Sequence, residues 1–199
     1  MKINHQTKGY IFGAISAASY GTNPLFALPL YKSGMGVNSV LFYRYTIAVV
    51  FMSLLMVFHH LSFRISHKDL TRLVIMGLLF SLSSLFLFSS YDYMDVGIAS
   101  TILFVYPILT AIMMTVFFHE RMTLTTILSI SLAVIGISMT GKTPNGELLN
   151  FTGFSLAFLS AVSYACYIVG CDKTSLNKLP NLKLNFYAIL FGSLLYIIN

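Results

Sequence analysis

Apolar residues in this chain fall in long blocks rather than on the single face of a soluble helix: about 9 to 31, 38 to 60, 73 to 91, 97 to 118, 124 to 141, 151 to 170 and 184 to 198. Within the fourth block, Gly97 to Phe118 is an uncharged run of 22 residues with one proline, Pro107, closed by His119-Glu120-Arg121. At about 1.5 Å rise per residue such a run spans the roughly 30 Å hydrocarbon core of a bilayer, where a helix satisfies its own backbone. The pattern predicts an all-α polytopic membrane protein with seven spans, the last one short. The first block is too long for a signal-peptide core and lacks a small-x-small cleavage site after it, so it reads as a retained helix.

Composition agrees: 57% of residues are hydrophobic and 9% charged, against about 25% charged in soluble domains. The net charge of +6 does not point to nucleic acid, because the cations stand singly between apolar blocks. It sets topology instead. With the amino terminus cytoplasmic, Lys2, Lys8, Arg64, Lys68, Arg72, Arg121, Lys173, Lys178 and Lys183 lie inside, against Lys32 and Lys142 outside. This is a positive-inside bias, and the expected location is the plasma (bacterial inner) membrane. Cys166 and Cys171 have no second pair and no C-x-x-C spacing, a poor disulfide or metal signal. No cofactor is expected.

Sliding the chain on itself by 144 residues places GYIFGAISAASYGT from Gly9 over GFSLAFLSAVSYAC from Gly153, with five of fourteen positions identical, Ser16/Ser160 and Tyr20/Tyr164 among them. The same offset brings Phe42-Tyr43 onto Phe186-Tyr187. The copies begin five spans apart, an odd number, so the second enters the membrane from the opposite side. Such inverted repeats build many secondary transporters. The expected organisation is a complete five-helix repeat over 7–142 and the start of a second over 150–199, a fragment of a ten-helix chain.

On these residues the chain resembles the drug/metabolite transporter superfamily, EamA type. The carriers are Tyr20-Gly21 in a small-residue first helix, Arg44 in the second, and Gly97-Ile98-Ala99-Ser100, Pro107 and Glu120-Arg121-Met122-Thr123 around the fourth. The resemblance implies ten helices in two inverted halves and movement of amino acids, sugars, nucleotides or other small metabolites, often outward. One departure is Tyr20-Gly21 where the family often has Trp-Gly; the chain contains no tryptophan.

Polar groups inside the spans are the candidates for the pathway, because lipid makes them expensive. Arg44 is the one full charge well inside a span; it either faces a cavity and binds an anionic substrate group or snorkels to the headgroups. Asn23-Pro24 and Pro107 interrupt the first and fourth helices and free backbone carbonyls, and Asn23 adds a donor and an acceptor. Tyr20, Tyr106 and Tyr164 lie deep in their spans, where a phenol needs a partner; Ser83 and Ser84 either supply one or let helices approach closely. The expected substrate ligands are Tyr20, Asn23, Arg44, Tyr106 and Tyr164.

His119-Glu120 is either a proton-coupled gating pair or an interfacial cap in which Glu120 meets Arg121 or the start of the fifth helix. Asp92 and Asp95 form a D-x-x-D, too few oxygens for a hard-cation site.

Three function classes follow: a secondary transporter, an intramembrane enzyme using Asp92 and Asp95, and a truncated non-transporting subunit. The inverted repeat, the kinked helices and the lack of a phosphate-binding loop favour the transporter, not an enzyme, with the bilayer, a small-molecule substrate and protons as partners. Half-sized relatives can work as antiparallel dimers, which keeps a homodimer open. Six cations inside against two outside in the first five spans resist dual insertion.

Overall fold

The computed structural model describes residues 5–120, 124–139 and 150–197, and among them every regular element is helical. In order these are α1 (His5–Gly21), α2 (Asn23–Lys32), α3 (Val37–Phe58), α4 (His67–Ser90), α5 (Val96–Leu103), α6 (Tyr106–Phe118), α7 (Leu124–Met139), α8 (Phe151–Asp172), a 3-10 turn (Ser175–Lys178) and α9 (Asn181–Ile197). Val37–Phe58, His67–Ser90, Val96–Phe118 and Phe151–Asp172 are long and apolar enough to cross a bilayer, and α9 is a shorter apolar helix. The apolar blocks thus become helices where expected. The main difference is at α4, which starts at His67, six residues before its apolar block. The added turn is amphipathic: Asp69 sits in the first turn and pairs with Arg72 at 3.8 Å.

Both breaks fall beside the prolines. Thr22 separates α1 from α2, its hydroxyl donating to the Ser19 carbonyl at 2.7 Å, and Pro24 follows in the first turn of α2. Phe104 and Val105 separate α5 from α6, with Pro107 in the first turn of α6. Proline fits a first helical turn, where its missing N–H has no partner to lose.

Residues 1–36 and 37–199 form two compact units. Within the first, α1 and α2 meet at the Thr22 break. The second is built on α4, which packs against α3, α8 and α9. Contacts fix the directions. Tyr45 meets Tyr196 while Met56 joins Phe186 and Tyr187 in one buried cluster, so α3 and α9 run antiparallel. Ser83 meets Ser160 while Gly170 lies against Met76, so α4 and α8 are antiparallel too. Gly77 approaches Ala188 and Ser81 reaches Gly192, so α4 and α9 are parallel.

The α4–α9 seam is a small-residue contact. A Cβ on Gly77 would sit 2.8 Å from the Ala188 carbonyl oxygen, and one on Gly192 would sit 2.9 Å from the Gly77 oxygen. Each glycine admits the other helix's backbone, the means by which membrane helices gain close packing without a hydrophobic drive.

Candidate functional site

The seam between α6 and α8 brings together two of the five expected ligands, Tyr106 and Tyr164. Tyr106, at the first turn of α6, and Tyr164, midway along α8, meet edge to face with ring centroids 4.7 Å apart. Tyr164 stacks on Tyr167 at 5.9 Å, and Phe80 of α4 touches both rings. The pair joins two residues far apart in sequence, and both are half-buried.

A polar network runs beside it through the bundle interior. Tyr45 hydrogen-bonds Ser84 at 2.8 Å and packs edge to face on Tyr196. The Tyr196 hydroxyl donates to the Ser81 carbonyl at 2.7 Å, and the Ser81 hydroxyl donates to the Gly192 carbonyl at 2.6 Å. Ser160 donates to the Ser83 carbonyl at 2.7 Å, its hydroxyl 3.0 Å from that of Ser83. Ser84 therefore does partner a deep phenol, but that of Tyr45, and Ser83 ties two helices together. Tyr45 and Tyr196 were missed. Tyr45 follows Arg44 in a strongly apolar helix and Tyr196 lies near the end of the last block, where a phenol reads as an interfacial anchor.

Arg44 is exposed, with its guanidinium over the Phe88 ring at 5.2 Å from the centroid. A cation on a ring face is worth about 0.5–1 kcal/mol at an exposed site. An open cleft of about 310 Å³ lies between the start of α3 and the end of α9, lined by Asn38, Ser39, Phe42, Tyr43, Tyr196 and Ile197. The side chains of Tyr20 and Asn23 lie outside the described ones, although both residues flank the Thr22 break.

His119 ends α6 in the left-handed region, φ 54°, and the turned chain lets the Glu120 N–H donate to the Met114 carbonyl at 3.2 Å. The Glu120 carboxylate accepts from Lys173 at the end of α8. That hydrogen bond, helped by Asp172 at 3.3 Å, raises the Lys173 pKa above the ordinary lysine value. The Lys173 ammonium also lies 5.3 Å from the centroid of the Phe118 ring. Arg121 lies outside the described residues, as do Lys142 and Glu147. Nothing in the local pattern marks Lys173 as the partner, because 53 residues separate the two.

The same basic end carries further ties. Arg72 donates to the Ser175 hydroxyl at 2.6 Å, and Ser175 donates to Asp69. Buried Lys183 donates to the Arg64 carbonyl at 2.5 Å, and Tyr187 donates to the Phe63 carbonyl at 2.6 Å. At the opposite end, Asp95 is the N-cap of α5 and accepts from the Gly97 N–H at 2.8 Å, a local structural role.

Comparison with known proteins fits a membrane bundle of this kind. The model of the EamA-like transporter family matches residues 7–141. A protein of Archaeoglobus fulgidus described as an uncharacterized transporter is 27% identical over 152 residues, which cover 76% of this chain and 52% of that protein. The chain thus spans about half the length of the relative it matches. No solved structure matches. Members of the matched family are transporters rather than enzymes, and a family match across two thirds of a chain whose described elements are all helical and rich in spanning helices identifies it: this integral membrane protein belongs to the EamA-like transporter family of the drug/metabolite transporter superfamily.

Proposed function

We propose that the protein is a secondary transporter that exports small metabolites, amino acids or related organic solutes, across the plasma membrane by alternating access, with its amino terminus in the cytoplasm. The observation that carries this reading is the antiparallel pairing of α3 and α9, whose first residues, Val37 and Asn181, stand 144 apart, the same offset as the sequence repeat. Equivalent helices running in opposite directions are what an inverted repeat demands. It supports a five-helix first repeat over 7–142, a second beginning near 150, and ten helices in the whole protein.

Tyr106 and Tyr164 then mark the substrate path where the two repeats meet, and Arg44 supplies the positive charge for an anionic group. Tyr20 and Asn23 are proposed ligands on the strength of the break between α1 and α2 alone. His119 and Glu120 serve the gate at the basic end, with protons as the coupling ion and a homodimer as the further partner.

Reconstituting the full-length protein in proteoliposomes and measuring counterflow of labelled amino acids tests the reading. Exchange above that of empty vesicles for at least one solute is expected, and no exchange across a broad panel of amino acids and sugars would overturn it. Arg44→Ala should weaken uptake of anionic substrates by about tenfold, corresponding to 1.4 kcal/mol of lost binding. Unchanged uptake of each of them would remove Arg44 from the site. An imposed pH gradient that fails to drive accumulation would leave facilitated exchange.

A further inference from the structure

α6 is built like a lever. Its base is the helix interruption at Phe104–Val105, where Pro107 follows, and Ile108 is its one buried residue among those described. Along its length it packs on α8, and its other sides are half-buried or exposed. Its far end is clasped. The Glu120 carboxylate, fixed by the left-handed turn at His119, takes the Lys173 ammonium at the end of α8, and the Phe118 ring lies beside that ammonium at 5.3 Å. Among the described residues this is the ion pair that joins α6 to α8.

The geometry favours a swing. Thirteen residues at about 1.5 Å each give an arm of about 20 Å, so a tilt of about 10° at the base carries the tip about 3 Å, past ion-pair distance. The remaining ties at this end join α4, its preceding loop and the 173–187 segment to one another, and leave α6 out.

We propose that Lys173 is a gate residue: it holds the tip of α6 against α8, and release of Glu120 from it opens the basic end of the pathway while α4, α8 and α9 stay together. This rests on the transporter reading above and adds to it the partner of Glu120 and the element that moves. Asp172, 3.3 Å from the Lys173 ammonium, is the alternative acceptor that keeps the lysine charged when the clasp opens.

The test reads movement of α6 without a substrate. Met113 is half-buried on α6 and lies seven residues, two helical turns, beyond Tyr106, on the face that meets Tyr164. In the full-length protein in proteoliposomes, with the native cysteines replaced by serine and Met113→Cys added, labelling by a membrane-impermeant methanethiosulfonate is timed. Lys173→Gln should speed labelling about two- to fivefold, the population change expected from losing one partly exposed ion pair of ordinary strength. The charge swap E120K/K173E should return the rate to that of the parent. Labelling that is equally slow in Lys173→Gln, or equally fast in Lys173→Gln and in the swap, would overturn the clasp. Because flux is measured separately, a normal labelling pattern with no transport of any solute would count against the transporter reading and not against the clasp.

Discussion

Three glycines show how much a single Cβ costs at different contacts. At Gly77 and Gly192 the added carbon meets the partner helix's backbone, which cannot retreat without moving the helix. Gly77→Ala and Gly192→Ala should each destabilise the protein by about 1–3 kcal/mol, seen as a lower thermal midpoint in detergent. At Gly170 the nearest atoms, 2.4 and 2.5 Å away, belong to the end of the Met76 side chain. Methionine is flexible, so Gly170→Ala should leave the midpoint within experimental scatter. Tyr196→Phe deletes a hydroxyl bonded to the Ser81 carbonyl; interhelical hydrogen bonds in membranes average about 0.6 kcal/mol, and a midpoint drop smaller than that of Gly77→Ala is expected.

Between elements, the decisive facts are directions, and these lend themselves to covalent trapping. The Ser83 and Ser160 hydroxyls are 3.0 Å apart, so Ser83→Cys with Ser160→Cys should form a disulfide under mild oxidation once Cys166 and Cys171 are removed. A reduction-sensitive link between fragments after cleavage in the 140–149 segment would show it, and its absence would contradict the antiparallel α4–α8 pairing. The extents of these helices could be read from the chain because lipid enforces a plain rule: uncharged runs of bilayer length become helices, and proline beside a polar residue interrupts them. Thr22 and Phe104–Val105 follow from Asn23-Pro24 and Pro107 in this way. The start of α4 could not, since His67 to Arg72 is largely polar and its Asp69 also accepts from Ser175, 106 residues beyond. The Tyr106–Tyr164 pair was half legible: depth in the span marked both rings, whereas their contact arises only from how α6 lies on α8. Glu120 was marked and its lysine was not, because an ion pair across helices leaves no local pattern.

For the whole molecule, the cations divide as the described contacts do. Arg64, Arg72, Lys173 and Lys183 all take part in ties at one end of the bundle, while Asp92 and Asp95 stand at the other. With the proposed orientation, an impermeant amine reagent should modify Lys178 only in inside-out vesicles, and modification in right-side-out vesicles would reverse the topology. High salt should loosen the partly exposed Lys173–Glu120 tie and leave the uncharged α4–α9 seam untouched.

That seam also has a history in time. Gly77 and Gly192 stand 115 residues apart, and translation proceeds at about 5–20 residues per second, so for about 6 to 23 s α4 waits in the membrane with its narrow glycine face turned to acyl chains that fit it poorly. Biogenesis therefore has an ordered step in which a later helix displaces lipid from a groove formed earlier. Quality-control proteases that survey nascent membrane proteins have that interval in which to act, and ribosome stalling before Asn181 would lengthen it.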